Sequence, residues 1–184
     1  MNPKKNNKKT FFISCVLLLS AFNSPNVCSL ESDSKQPIVI DSNTATYDDA
    51  AATSTYVGNV VSVQGSIVVH SDKLVVYFVN GDAEKLVFTG KKAKFKQTPS
   101  VGEKDITGEA VIGEFYPKKD LLVLLKDAVV LKDNGVYSSE FIEYNIKTSL
   151  VKAGEQTSDS KRVHVVIEPK DKTPYPDQSS AKNR

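Results

Sequence analysis

Residues 56–78 read YVGNVVSVQGSIVVHSDKLVVYF, a run in which polar side chains stand nearly singly among valines, isoleucines and leucines. Its apolar residues recur with a period of two, not 3.6, and most are β-branched or aromatic, which specifies extended strands. Neither face of such a strand reads as wet, so the stretch poses the question of what it helps to bury. The same texture recurs in PIVID, KLVFTG, AKFKQ, LLVLLKDAVVLKD, GVYSSEFIEYNI and RVHVVIE, and no stretch sustains an apolar stripe at helical spacing. The one helical candidate, DDAAATS from Asp48, is too short to stand alone. Asn80–Asp82 (NGD) and Asp133–Gly135 (DNG) supply residues that tolerate positive φ in tight hairpins. The prediction is an all-β chain of consecutive antiparallel hairpins, with on the order of 14 to 17 short strands at typical strand and turn lengths.

Three segments follow from composition. Lys4, Lys5, Lys8 and Lys9 precede an apolar run from Phe11 to Phe22 and a small polar stretch ending at Ser29, the layout of a secretory signal peptide over residues 1–29. The run is well short of the roughly 20 apolar residues that span a bilayer. Cys28 raises a lipoprotein alternative, but Val27 before it is bulkier than that processing accepts. Residues 30–168 form the predicted domain, and the tail 169–184, with three prolines and little apolar content, is expected to be disordered.

Removing residues 1–29 takes four lysines and no acid, so the formal charge moves from +2 to −2. The apparent basicity belongs to the export signal, and nucleic acid loses its main support as a partner. Cys15 and Cys28 leave with that segment, so the remaining 155 residues offer no disulfide, thiol nucleophile or sulfur-ligated metal. His70 and His164 are the only histidines, lie far apart and have no i+4 partner. With no nucleophile-elbow, zinc-protease or phosphate-loop motif, the chain is read as neither an enzyme nor a metal or cofactor protein. An exported β-sandwich that binds a sugar, peptide or other lipid is the alternative. The absence of Trp and 8% aromatic content offer it few binding platforms.

The strands also repeat. TYVGNVVSVQG, VFTGKKAKFKQ and LLKDAVVLKDNG stack on Gly58, Gly90 and Lys126, and each is followed by a strand opening on an acid, Asp72, Glu109 or Glu140. Asn43 holds that position in an upstream partial copy, giving spacings of 29, 37 and 31 residues, within the range of repeat architectures. Each strand pair cannot bury its own inner face, so stacked pairs share one elongated core. Alternation from the three anchors predicts an inward set of Val61, Val63, Leu74, Val76, Ala93, Phe95, Val111, Phe115, Val129, Leu131, Ile142 and Tyr144.

These residues carry a resemblance. QPIVIDSNTATY, YVGNVVSVQGSIVVHSDKLVVY, GKKAKFKQ, KKDLLVLLKDAVV and KRVHVVIEP, in that order after a signal peptide, resemble the OstA-like family of periplasmic lipopolysaccharide-transport proteins from about Gln36 to Pro169. Lys126 replaces the glycine expected in LKDAV. The resemblance implies an antiparallel β-jellyroll, open along one side and at both ends. It implies a carrier that holds lipid A acyl chains in its groove and stacks head to tail between inner- and outer-membrane transport components. With the alternation, it implies lipid contacts at Ile38, Ile40, Val61, Val63, Leu74, Val76, Phe95, Phe115, Leu131 and Tyr144.

Two surface features remain. Lys91, Lys92, Lys94 and Lys96 fit protection of a sheet edge, or alternatively contact with lipid A phosphates at the groove rim. PIVID and VHVVIE are long apolar edges, and strand addition between them would join one copy to the next without closing a ring.

Overall fold

The computed structural model describes residues 33–154 and 162–169. The predicted signal peptide and the C-terminal tail beyond Pro169 lie outside the described residues. Among the described residues ten strands occur in this order: β1 (Val39–Asp41), β2 (Thr44–Asp48), β3 (Thr53–Gln64), β4 (Ile67–Val79), β5 (Asp82–Gln97), β6 (Ile106–Tyr116), β7 (Leu121–Lys132), β8 (Gly135–Asn145), β9 (Leu150–Ala153) and β10 (His164–Ile167). All pairings are antiparallel, in the order β1-β3-β4-β5-β6-β7-β8-β10, with β2 beside β3 and β9 beside β8. DDAAATS forms the β2–β3 turn and not a helix.

The strands are fewer and longer than expected because the breaks at the repeat anchors are bulges and not turns. KLVFTG and AKFKQ, for example, are two halves of the single 16-residue β5. Five successive strand pairs shift register, at Val57/Val60, His70/Lys73, Thr89/Ala93, Glu109/Ile112 and Leu125/Ala128. A bulge bends its strand and increases its twist. Five in adjacent pairs form a seam at which the whole sheet folds over.

One contact demonstrates the fold at the seam. β5 and β8 are three strands apart in the sheet, about 14 Å at the usual inter-strand spacing, yet the rings of Phe95 on β5 and Tyr144 on β8 stack with centroids 5.8 Å apart. The two halves of the sheet therefore face each other as two layers of an open antiparallel β-jellyroll. The first layer contains β1, the C-terminal halves of β3, β5 and β7, the N-terminal halves of β4, β6 and β8, and β10. The second contains β2, the remaining halves and β9.

The seam is held by the residues that the repeat singled out. The Asn43 N–H donates to the Gly58 carbonyl at 2.9 Å, and a Cβ on Gly58 (φ +85°) would sit 2.6 Å from Asn43 Nδ2. The Lys91 N–H donates to Asp72 Oδ2 at 3.1 Å, directly over Gly90. Lys92 Nζ reaches both Glu109 Oε1 at 3.6 Å and the Asp127 carbonyl at 2.7 Å. Gly58 and Gly90 thus let their strands cross between layers while a polar residue on an adjoining segment fixes the crossing, and Lys92 reaches across β6 to the crossing of β7.

Bulges also correct the inward set. Leu74, Val76, Ala93, Phe95, Phe115, Ile142 and Tyr144 are buried between the layers. Val61, Val63, Val111, Val129 and Leu131 are not: buried Val60, Ser62, Ala110, Ala128 and Val130 alternate with them and take the inner face. The reason is local backbone. β3 and β7 cross the seam with two consecutive left-handed residues, Gly58–Asn59 and Lys126–Asp127. β5 crosses around Gly90, whose φ is not left-handed. Equating the three anchors therefore displaces two of the strands by one residue, which turns every side chain to the other face.

Candidate functional site

The space between the layers is the candidate site. Leu74 and Val76 from β4, Leu86 and Phe88 from β5, Phe115 from β6, Leu122 and Leu124 from β7 and Ile142 from β8 line the second layer. Ile67, Val69, Ala93, Phe95, Ile106 and Val130 line the first. Ile38 and Ile40 pack against this core from the N-terminal edge, alternating with exposed Val39. The interior is therefore continuous and largely apolar, and Phe95 and Tyr144 stack across it.

One end of this interior is polar. Gln64 and Gln97, 5% and 4% exposed, sit where β3 and β5 end beneath the 3₁₀ turn Asp33–Lys35. Asp33 Oδ1 accepts from the Ser66 N–H at 2.7 Å, and Oδ2 accepts from Ser66 Oγ at 2.8 Å and Gln97 Nε2 at 3.3 Å. Gln64 Nε2 donates to the Gln36 carbonyl at 3.0 Å, while its Oε1 is buried without a hydrogen-bond partner among the described residues. The Tyr144 hydroxyl donates to Gln97 Oε1. Burial holds that phenol above its ordinary pKa; the Ser149 hydroxyl opposes the shift and the Asp33 carboxylate adds to it. Tyr144 thus stays a protonated donor. Apolar periodicity could not reveal this cluster, because Gln64 and Gln97 occupy inward positions as polar residues.

The expected lipid contacts divide between two places. Leu74, Val76, Phe95, Phe115 and Tyr144 meet in the interior, with Ile38 and Ile40 at its edge. Val61, Val63 and Leu131 lie on the outside of the first layer. That outer face carries a hollow of about 640 Å³ with Val68, Val129 and Leu131 on its floor and His70, Lys94, Lys96 and Glu109 around it.

The lysine cluster also needs correction. β5 pairs with β4 and β6 along its length, so Lys91, Lys92, Lys94 and Lys96 protect no sheet edge. Lys92 tightens the seam, Lys96 pairs with Asp105 at 3.2 Å, and Lys94 stands at the outer hollow. His70 and His164 are exposed. Among the described residues no group of three or more His, Cys, Asp or Glu could hold a metal, and no helix is long and apolar enough to cross a membrane.

The site thus combines an apolar interior between two sheet layers with sheet edges at β1 and β10. Residues 39–150 match the family described as LptA/(LptD N-terminal domain) LPS transport protein, and the chain belongs to that family. It is 30% identical over 162 residues to the lipopolysaccharide export system protein LptH of Pseudomonas aeruginosa, covering 84% of this chain and 92% of the relative. It is 30% identical over 167 residues to the lipopolysaccharide export system protein LptA of Escherichia coli K12, covering 90% and 88%. The crystal structure of P. aeruginosa LptH, described as the LptA-homologous periplasmic component of the lipopolysaccharide transport device, superposes with a TM-score of 0.69 at 25% identity. That superposition covers 76% of this chain and all of that one.

Proposed function

We propose that this protein is a periplasmic lipopolysaccharide carrier that shields lipid A acyl chains between its two layers. It passes them along head-to-tail assemblies between inner- and outer-membrane transport components. The observation that carries this reading is the folded-over sheet. Phe95 and Tyr144 stack across it in an apolar interior closed only by side chains and not by covalent links. Each CH₂ buried there is worth on the order of 0.8 kcal/mol, so the several chains of a lipid can take the place of the side-chain packing that is given up when the layers part.

Assembly rests on the ends of the sheet. β1 and β10 are its first and last strands, and Val39, Val165, Val166 and Ile167 are exposed on them. Unpaired apolar edges are templates for another strand, and pairing β10 of one copy with β1 of the next repeats without closing. Directional transport draws its energy from elsewhere, since the chain has no phosphate loop. The test is binding of purified protein to lipopolysaccharide, with Phe115→Asp, which places a charge in the interior, as the variant expected to lose it. Retention of full affinity by a folded Phe115→Asp protein would remove the interior as the seat.

A further inference from the structure

The buried polar cluster at the end of the apolar interior has no role in holding acyl chains, and apolar side chains would pack there at lower cost. A buried polar group is stable only when its hydrogen bonds are met. Here the donors are met by a carboxylate from a segment outside the hairpins: Asp33 takes the Ser66 N–H, the Ser66 hydroxyl and the Gln97 amide. Three donors converging on two oxygens of one anion form an anion site. Beside it, the Oε1 of Gln64, 5% exposed, has no donor among the described residues.

We propose that Ser66, Gln97 and Gln64 form a recognition site for the phosphorylated sugar headgroup of the cargo lipid, and that Asp33 occupies it in the ligand-free protein as an internal stand-in. The inference rests on the lipid-carrier reading above. A phosphate monoester presents more acceptor oxygens than a carboxylate and can take the same three donors, while a sugar hydroxyl supplies the proton that Gln64 Oε1 lacks. Tyr144, donating to Gln97 Oε1, fixes the Gln97 amide with its Nε2 toward the anion. Because the same amide belongs to a side chain two residues from Phe95, the headgroup would be read at the end of the interior that takes the chains. Displacing Asp33 frees the Asp33–Gln36 segment from Ser66, so loading and opening of this end are one event.

The test compares binding of bis-phosphorylated lipid A with its fully dephosphorylated counterpart. Asp33→Asn and Asp33→Ala should bind the phosphorylated lipid about 5- to 10-fold more tightly, roughly the coupling expected of one competing charged contact, and leave the dephosphorylated lipid unchanged. Asp49→Asn, on a turn of the second layer, controls for general charge and should change neither. Ser66→Ala in the Asp33→Ala background should abolish the gain, which a purely electrostatic effect of losing Asp33 would not. Inorganic phosphate in excess should compete weakly; full competition would reassign the site to free phosphate. Equal tightening of both lipids, or none, would overturn the headgroup site while leaving the carrier reading intact. Failure of every variant and the parent to bind either lipid would overturn both.

Discussion

The rings of Phe95 and Tyr144 stack at 5.8 Å with an interplanar angle of 30°, joining two halves of one sheet. Both are nearly inaccessible, and the Tyr144 hydroxyl continues the contact to Gln97. Phe95→Ala removes a ring and leaves a cavity between the layers, so it should lower unfolding free energy by about 3–5 kcal/mol in urea titrations. Tyr144→Phe keeps the ring but strands Gln97 Oε1, at a cost of about 1–3 kcal/mol. If the two cost the same, the stack would not be what closes the layers.

The seam makes its own prediction. Gly58→Ala demands a strained left-handed alanine whose Cβ meets Asn43, and should destabilise by about 1–3 kcal/mol. Pairing it with Asn43→Ala removes the closest contacts but leaves the Asn43 Cβ position 3.1 Å away and the backbone strain in place, so thermal melts of the double variant should recover part of the loss and not all of it.

Tyr116 supplies a pH prediction. Its hydroxyl donates to Glu114 Oε2 at 2.6 Å, and that bond, with burial and the carboxylate charge, raises its pKa to about 12. A pKa raised above the unfolded value of about 10 stabilises fully below pH 10 and is lost as pH climbs from there through 12. Ultraviolet titration of tyrosinate should show, among late phenols that include the buried Tyr144, one that Glu114→Gln moves back towards the ordinary range. An unmoved titration in that variant would assign the shift to burial alone.

Removal of β10 tests assembly. Truncation before Arg162 takes away the exposed terminal strand without touching the residues that line the interior. Sedimentation should find concentration-dependent oligomers for the intact chain and monomers for the truncated one. A sharp monomer at high concentration in the intact protein would contradict head-to-tail pairing.

Strand character, hairpin turns and the terminal edges are legible in the sequence because period-two alternation and Gly/Asn turns are local signals. The anchors Gly58, Gly90 and Lys126 are legible too, though not their geometry. A bulge inserts residues without changing composition, so whether Val61 or Val60 points inward depends on two backbone dihedrals that no pattern of apolar residues encodes. Phe95, Phe115 and Tyr144 emerge at inward positions because they lie beyond the bulge in strands where the assumed parity holds. Gln64 and Gln97 escape notice for the opposite reason: they are polar residues in apolar positions, and what satisfies Gln97 comes from Asp33, 64 residues earlier in the chain.

The most direct test of the carrier reading is photo-crosslinking in cells, with probes at Phe95 and Phe115 inside the layers and at Lys94 on the outer hollow. Lipopolysaccharide adducts are expected at both aromatics and none at Lys94. Adducts at Lys94 with none at Phe95 or Phe115, in a folded and exported protein, would contradict an interior lipid path and move the lipid to the outer face of the first layer.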